Sequence, residues 1–238
     1  MKAKSKPAKK TYTVYFGGEL FDLKDLVGNA YLAEAIYEKS GGKYLCHLPQ
    51  DFELRGLNPQ VIRDQDIEAL FASDVALFNF DGTELDSGTL VEFMIAKMAD
   101  IPAVVLRTDL RGAGDQGGRR DPWNLMASFY PRTVTVRVAS LIDYRVLQQK
   151  RLRRAPSPVM RLAGQHASAT AAIVCDRLAA QVVKAFNEVV AQPARLPKSL
   201  REPVYQWLAL MPGLKGKPKD LRKQLETVLE GKIQRGLL

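Results

Sequence analysis

Short apolar runs and longer helical stripes alternate along the first half of the chain. An alternating run predicts a strand over Thr11–Gly18, and a second short strand is predicted over Lys43–Pro49. Apolar runs predict buried strands over Asp74–Phe80 and Ile101–Asp109. Between them, apolar residues spaced three and four apart predict helices over Asn29–Gly42, Pro59–Asp74 and Gly88–Ala99. This alternation predicts a parallel sheet wrapped by helices, with right-handed crossovers.

The second half of the chain continues the α/β pattern and then departs from it. Thr133–Leu141 predicts a last strand, which makes about five, and Ser168–Val190 predicts a long amphipathic helix. Beyond Gln192 the pattern breaks, and two short basic helices are expected. We therefore expect a disordered basic arm over residues 1–10, a catalytic domain over 11–191 and a basic helical extension over 192–238. The glycine- and charge-rich stretch 110–122 is expected to be a loop.

The composition of the chain argues against a membrane protein but leaves most classes of globular protein possible. The chain has 238 residues, 46% of them hydrophobic, and a formal charge of +9. No apolar stretch approaches the ~20 residues that span a bilayer, and no apolar signal segment follows the basic N-terminus, so a cytoplasmic protein without membrane contact is expected. A basic chain can bind nucleic acid or attract small anions. No zinc-finger spacing, RNP-like motif or helix-turn-helix supports nucleic-acid binding.

Metal and cofactor chemistry has little support in the sequence. There are two histidines and two cysteines, and Cys46 and Cys175 lack metal-ligand spacing. Neither a glycine-rich dinucleotide fingerprint, nor a phosphate loop, nor a nucleophile-elbow serine occurs. We therefore expect no metal and no organic cofactor. The chemistry must come mainly from carboxylates, amides and a tyrosine.

Three acids cluster where a predicted strand gives way to a predicted helix. Asp81, Asp86 and Glu92 all lie within the stretch NFDGTELDSGTLVEFMIAK, which begins at Asn79. The carboxyl ends of strands in a parallel sheet are where such proteins bind ligands. Asp81 precedes Gly82 in typical turn chemistry, and we interpret it as a structural residue.

Four short segments together resemble the nucleoside 2′-deoxyribosyltransferases. They are VYFGGELF (Val14–Phe21), YLCHLPQD (Tyr44–Asp51), DSGTLVE (Asp86–Glu92) and NLM (Asn124–Met126). The resemblance runs from about Thr11 to Val138. It departs from the family after Glu92, where the chain reads FMIAK, and in its long tail. It implies a flavodoxin-like, doubly wound sheet and transfer of a 2-deoxyribosyl group between nucleobases without a cofactor.

The resemblance assigns roles to four candidate catalytic residues. Glu92 matches the nucleophile, Asp86 and Asp66 match acids that bind the base, and Tyr15 matches a tyrosine that orients the glutamate. A retaining glycosyl transfer needs such a nucleophilic carboxylate and a separate proton donor. Structural alternatives exist for each of the four: a solvated helix glutamate for Glu92, a turn residue or N-cap for Asp86, a helix-surface charge for Asp66 and a half-buried strand aromatic for Tyr15.

Five further residues match substrate-binding positions of the family. Gly17 would let the backbone approach the sugar, and Phe21 would line the pocket or else join the apolar core. Gln50 would contact the base or cap a loop. Asn124 and Met126 match residues that reach a neighbouring subunit's sugar, which implies at least a dimer with shared sites. The implied partners are 2′-deoxynucleosides and free nucleobases.

Two other functions compete with transfer. Related hydrolases cleave deoxynucleoside 5′-monophosphates, but their phosphate pockets carry serines and an arginine in the first strand–helix loop. Here that loop reads GGELFDLKDLVGN, which is acidic and has neither. The third possibility is a non-catalytic nucleotide-sensing module whose basic tail docks on a partner.

Overall fold

The protein is built on a five-stranded parallel sheet. Its computed structural model describes residues 10–52, 58–110, 121–154, 157–159, 168–213 and 218–238. The strands pair in the order β2-β1-β3-β4-β5, all parallel. Their bounds are Tyr12–Gly17 (β1), Tyr44–His47 (β2), Val75–Asn79 (β3), Ala103–Arg107 (β4) and Thr133–Arg137 (β5). The predicted α/β class and parallel sheet are confirmed.

Helices cover both faces of this sheet. They are α1 (Leu23–Lys39), α2 (Pro49–Phe52), α3 (Pro59–Ala72), α4 (Ser87–Met98), α5 (Ser140–Arg153), α6 (Ser168–Val190), α7 (Lys198–Leu210) and α8 (Pro218–Gln234), with a short 3₁₀ helix at Leu125–Ala127. One hydrophobic core lies between the sheet and α1 and α6. The other lies between the sheet and α3, α4, α7 and α8. The result is a three-layer α/β/α arrangement.

Three helices differ from the sequence-based expectation, and one of them is the short α2, which was not predicted. Helix α1 begins at Leu23 rather than near Asn29, because Asp22 caps it by accepting hydrogen bonds from the amides of Lys24 and Asp25. Helix α5 was not predicted. It is polar along most of its length, and Leu147 is the only one of its residues that is buried, so it lacks an apolar stripe.

The C-terminal helices are tied to the amino ends of the strands. The Asp100 carboxylate, just before β4, accepts hydrogen bonds from the amides of Arg195 and Leu196 at 2.7 and 2.8 Å. The same carboxylate pairs with Arg132 at 3.1 Å, and Arg132 also donates to the Leu237 carbonyl at 2.8 Å. Both Asp100 and Arg132 have positive φ, so the chain holds a strained conformation to make this contact.

A second set of contacts joins α8 to the start of β3. The buried Lys232 Nζ donates a hydrogen bond to the Ser73 carbonyl, and Arg235 pairs with Asp74 at 2.6 Å. Lys10, the one described residue of the predicted N-terminal arm, donates to the Arg235 carbonyl at 2.8 Å. The segment predicted as a basic extension therefore packs at the amino ends of the strands, which form the amino edge of the sheet. The opposite ends of the strands form its carboxyl edge. Within the described ranges, no helix has the length and apolar character needed to cross a membrane.

Candidate active site

The carboxylate of Glu92 lies directly over the carboxyl end of β1. A Cβ atom added at Gly17, the last residue of that strand, would be 2.7 Å from Glu92 Oε2 and 3.0 Å from Phe78 Cδ1. Any side chain at Gly17 would displace this carboxylate. Glycine is thus required here for close approach. The end of β1 and helix α4 together bring a carboxylate to the rim where parallel sheets bind ligands.

Tyr15 lies on the same face of β1 as Gly17. Residues two apart in a strand point to the same side, so Tyr15 faces α4, as Gly17 does. Its side chain is fully buried in the core that also contains Phe78 and Phe93. Tyr15 is therefore more deeply buried than the half-buried aromatic considered from sequence. The role of Tyr15 in orienting Glu92 stays a prediction.

The loop between β3 and α4 is clamped to the end of β4. Asp81 accepts hydrogen bonds from the Thr108 amide, the Thr108 hydroxyl and the Asp109 amide at 2.5, 2.6 and 3.0 Å. The buried Arg107 donates to the carbonyls of Phe80 and Gly82 at 2.7 and 3.0 Å and pairs with Asp109. These contacts agree with a structural role for Asp81. They also hold the segment that leads into Asp86 and α4.

Asp86 occupies the N-cap of α4. Its Oδ2 accepts hydrogen bonds from the Thr89 amide at 2.7 Å and the Thr89 hydroxyl at 2.8 Å. This is the structural alternative raised for Asp86 from its sequence. A capping carboxylate has a second oxygen, so the cap does not exclude contact with a base. The proton-donor role of Asp86 stays a prediction.

Glu19 is a rim acid that the sequence analysis did not select. Burial raises the pKa of Glu19, and the carboxylates of Asp25, Asp86, Asp22 and Asp81 raise it further. Its Oε1 is 3.5 Å from where a Cβ of Gly82 would lie, which places it beside the clamped loop. The signal for Glu19 in the sequence was the acidic character of the loop after β1. A carboxyl group with a raised pKa near other acids is typical of functional sites.

Two predicted residues lie on helices around this rim. Gln50, in α2 after β2, donates from Nε2 to the Leu26 carbonyl at 3.1 Å, and its buried Oε1 has no hydrogen-bond partner among the described residues. Asp66 lies in the middle of α3, on the Tyr15 side of the sheet, and its Oδ1 is fully buried. Asp66 is thus more enclosed than a simple helix-surface charge. Base contacts by either residue stay predictions.

The remaining predicted residues lie on the surface of the chain. Phe21 is 78% exposed, so the alternative of a core role is wrong. Asn124 caps the 3₁₀ helix by accepting a hydrogen bond from the Met126 amide at 2.9 Å, and Met126 is 70% exposed. Trp123, by contrast, is buried against Phe80 at 5.2 Å between ring centroids. The Trp123 ring therefore belongs to the core.

A cleft of about 360 Å³ opens beside the clamped loop. It is lined by Thr83, Glu84, Leu85, Leu90, Arg107, Pro122, Trp123 and Asn124. That volume falls at the lower end of typical small-molecule sites. A larger cleft of about 600 Å³ lies between α3 and α8, away from the strand ends. Among the described residues, no group of three or more His, Cys, Asp or Glu side chains could hold a metal ion.

Two solved structures are similar to about half of this chain. The architecture is that of a three-layer α/β protein with a parallel sheet. A conserved protein from Enterococcus faecalis V583 is similar over 49% of this chain and 84% of its own, with 28% identity and a TM-score of 0.43. A 2-desoxiribosyltransferase from Leishmania mexicana is similar over 52% of this chain and 89% of its own, with 21% identity and a TM-score of 0.40. No protein-family model and no curated protein matches the chain.

Proposed function

We propose that this protein transfers a 2-deoxyribosyl group from one nucleobase to another through a covalent intermediate on Glu92. The single observation that carries the proposal is the carboxylate of Glu92 lying over Gly17 at the carboxyl end of strand β1. A retaining glycosyl transfer needs a nucleophilic carboxylate at a rim that a substrate can reach. The resemblance of the segments around Tyr15, Asp86 and Glu92 to the deoxyribosyltransferases supports the same chemistry.

The reaction proceeds in two displacements. In the first, a Glu92 oxygen bonds to C1′ of the deoxyribose while the C1′–N bond breaks, and the electron pair leaves with the base nitrogen. Asp86 supplies the proton that neutralises the departing base. In the second, a nitrogen of the incoming base bonds to C1′, the ester bond to Glu92 breaks, and Asp86 takes the proton back. Two inversions give net retention.

Other residues hold the reactants in this mechanism. Tyr15 orients the Glu92 carboxylate, and Asp66 and Gln50 contact the base. Asn124 and Met126 serve the sugar of a neighbouring subunit, so the enzyme is at least a dimer. The exposure of Met126 in the single chain leaves it accessible for such a contact.

The acidic loop after β1 favours nucleosides over their 5′-phosphates. Glu19, Asp22 and Asp25 lie close enough that burial and neighbouring carboxylates raise the pKa of Glu19 and of Asp25. A phosphate bound there would meet like charge, which raises its free energy of binding. The competing hydrolysis of deoxynucleoside 5′-monophosphates is thus disfavoured.

Incubation with deoxyinosine and free adenine tests the proposal directly. Chromatography should detect deoxyadenosine and hypoxanthine, and inosine in place of deoxyinosine should react far more slowly, because a pocket shaped for deoxyribose leaves a 2′-hydroxyl unpaired. Formation of free sugar without deoxyadenosine, or cleavage of deoxyinosine 5′-monophosphate alone, would contradict transfer.

The proton-donor role of Asp86 has its own test. Asp86→Asn keeps an N-cap, since Asn caps as well as Asp does, but an amide cannot give and retake the proton. We expect transfer to slow by about 10²–10⁴-fold with an unchanged melting temperature. An unaltered pH–rate profile in the variant would remove Asp86 from the mechanism.

A further inference from the structure

A pocket of about 370 Å³ lies beside the last turn of α4, at the amino edge of the sheet. Its walls are mainly apolar, with Met94 and Leu196 among them, and they also carry three charged side chains, Lys97, Asp100 and Arg195. Its volume falls within the range of small-molecule sites. The candidate nucleophile lies over the carboxyl end of β1, so this pocket is separate from the candidate active site.

Residues with a strained backbone border this pocket. Among the described residues, the non-glycine residues with positive φ are Asp100, Phe129 and Arg132, at 55°, 65° and 53°. Asp100 lines the pocket itself, and the other two flank its wall residues Tyr130 and Pro131. Phe129 is 73% exposed, and a bulky residue rarely adopts positive φ. Such strain is concentrated at functional sites, which makes this pocket a candidate for one.

Lys97 is the reactive group of the pocket. Burial and, to a smaller extent, the charge of Arg132 lower the pKa of Lys97 from 10.5 to about 7, against the opposing effect of Asp100. A large share of Lys97 is therefore a free amine at neutral pH. A desolvated lysine beside another cation is a nucleophile of the kind that attacks aldehyde and keto groups.

Lys97 can lose its N–H groups without leaving its hydrogen-bond partners unpaired. Its Nζ lies 3.1 Å from the Arg132 carbonyl and 3.4 Å from the Pro131 carbonyl. The Arg132 carbonyl also accepts from the Ala103 amide at 2.9 Å. Thr133, whose Oγ1 lies 3.2 Å from the same Nζ, donates its hydroxyl to the Pro131 carbonyl at 3.3 Å. Each carbonyl thus keeps a donor when Lys97 forms a covalent bond, which avoids the cost of an unpaired acceptor.

The charges around Lys97 favour an anionic ligand. Arg132 and Asp100 pair with each other at 3.1 Å, so their charges compensate. When Lys97 is a free amine, the exposed Arg195 adds an uncompensated positive charge to the wall of the pocket. A carboxylate on a ligand would complement that charge.

We propose that this pocket binds a small oxo acid, an aldehyde or ketone that also carries a carboxylate, and that Lys97 holds it as an imine. The Lys97 nitrogen bonds to the carbon of the aldehyde or keto group. The oxygen of that group leaves as water together with the two N–H protons of the amine, and a carbon–nitrogen double bond remains. Addition of water reverses the reaction and releases the ligand. The carboxylate of the ligand lies beside Arg195.

Glyoxylate with sodium cyanoborohydride tests the proposal on the full chain. Hydride reduces the imine to a stable carboxymethyl amine, and peptide mass spectrometry locates it. At pH 7 we expect labelling of Lys97 to be roughly 10-fold or more faster than labelling of the exposed lysines, which are almost fully protonated at that pH. Labelling of Lys97 that is no faster than that of the exposed lysines overturns the proposal.

Lys232 is the matched control within the same molecule. Burial lowers the pKa of Lys232 to about 7 as well, but this residue is only 2% exposed, in the contact between α8 and the sheet. Lys232 should therefore stay unlabelled while Lys97 reacts. Equal labelling of the two lysines would mean that reactivity follows the lowered pKa and not the pocket, which overturns the proposal.

Arg195→Gln tests the charge of the ligand. The substitution removes the cation but keeps the backbone amide that donates to Asp100 at 2.7 Å. We expect glyoxylate labelling of Lys97 to fall about 2–5-fold, the effect of losing one exposed ion pair. Labelling by acetaldehyde, which has no carboxylate, should not change. A fall with both probes or with neither overturns the assignment of an acid group. None of these measurements depends on transferase activity.

Discussion

At the amino ends of the strands two buried acids pair with arginines, whereas at the carboxyl ends several carboxylates lie near one another. Asp74 pairs with Arg235 and Asp100 pairs with Arg132 at the amino edge. At the carboxyl edge, Glu19 lies near Asp25, Asp86, Asp22 and Asp81, and these carboxylates add to burial in raising the pKa of Glu19. Among the described residues, opposite charges are paired at the amino edge of the sheet, and several like charges lie together at its carboxyl edge.

We therefore expect the amino edge of the sheet to contribute mainly to stability and the carboxyl edge mainly to activity. Buried pairs such as Asp100–Arg132 hold the C-terminal helices, and removing one partner leaves an uncompensated buried charge. Clustered acids at the open rim are unfavourable for folding but suit proton transfer. Substitutions at the carboxyl edge should therefore change activity first, and those at the amino edge should change stability first.

The largest expected effect is at Glu92. Glu92→Ala removes the proposed nucleophile but keeps a strong helix former in α4. We expect transfer to fall on the order of 10⁶-fold, the scale on which enzymes lose rate with a covalent nucleophile. The melting temperature should remain close to that of the wild type. Transfer near the wild-type rate would show that another group does the chemistry.

A substitution of Asp100 at the amino edge should lower stability and leave activity unchanged, the reverse of Glu92→Ala. Asp100→Asn keeps a residue that tolerates positive φ but leaves the buried Arg132 without its counter-charge. We expect a loss of about 3–5 kcal/mol in the free energy of unfolding, measured with urea, and unchanged activity per folded molecule.

Asp176→Asn is the matched control for Asp100→Asn. It breaks the exposed Lys39–Asp176 pair, in which the side chains are 40% and 45% exposed. Solvent screens such a pair, so the loss should be below about 1 kcal/mol. Equal losses in the two variants would mean that burial of the Asp100–Arg132 pair does not set its contribution.

Gly17→Ala probes the close approach at the carboxyl edge. The added methyl would lie 2.7 Å from Glu92 Oε2 and must displace that flexible carboxylate. A shift of this size in a reacting group should slow transfer about 10²-fold with little loss of stability. Gly28→Ala is the control, because nothing lies within 4 Å of its added methyl and Ala favours helix α1 by about 0.5–1 kcal/mol. Equal transfer rates in the two variants would show that the close contact between Gly17 and Glu92 does not affect catalysis.

A pH dependence of stability is also expected at the amino ends of the strands. Burial lowers the pKa of Lys232 from 10.5 to about 7, against the opposing effect of Asp74. Between these values the unfolded chain holds the proton and the folded chain does not, so stability should rise with pH from about 7 to 10.5. The rise is at most about 1.4 kcal/mol per pH unit for one group.

Lys232→Met removes this proton from both states. Urea unfolding at pH 7, 8 and 9 should show a shallower rise in the variant than in the wild type. Burial also lowers the pKa of Lys97 to about 7, so Lys97→Met should remove a second contribution and the double variant should lose both. An identical slope in the wild type and Lys232→Met would contradict the lowered pKa.

The sequence by itself determined the sheet and part of the site. Strands such as Val75–Asn79 are buried on both faces, so they appear as continuous apolar runs that local pattern reveals. Glu92 and Asp86 follow such a strand closely in the sequence, so their position near its carboxyl end could be predicted from the sequence alone. Helix α5 was not predicted, because Leu147 is its one buried residue and a single apolar position gives no periodic pattern.

Only the tertiary structure decided where distant segments meet. The basic tail has the composition of a solvated extension, yet Lys232 is buried beside Ser73, 159 residues away. Contact between Arg132 and Leu237 across 105 residues leaves no periodic signal either. The closeness of Glu92 to Gly17, and of Glu19 to Asp86, depends on how α4 and the loops fold over the strand ends. Burial and charge pairing are set by such long-range packing, whereas apolar periodicity reports only which face of one element turns inward.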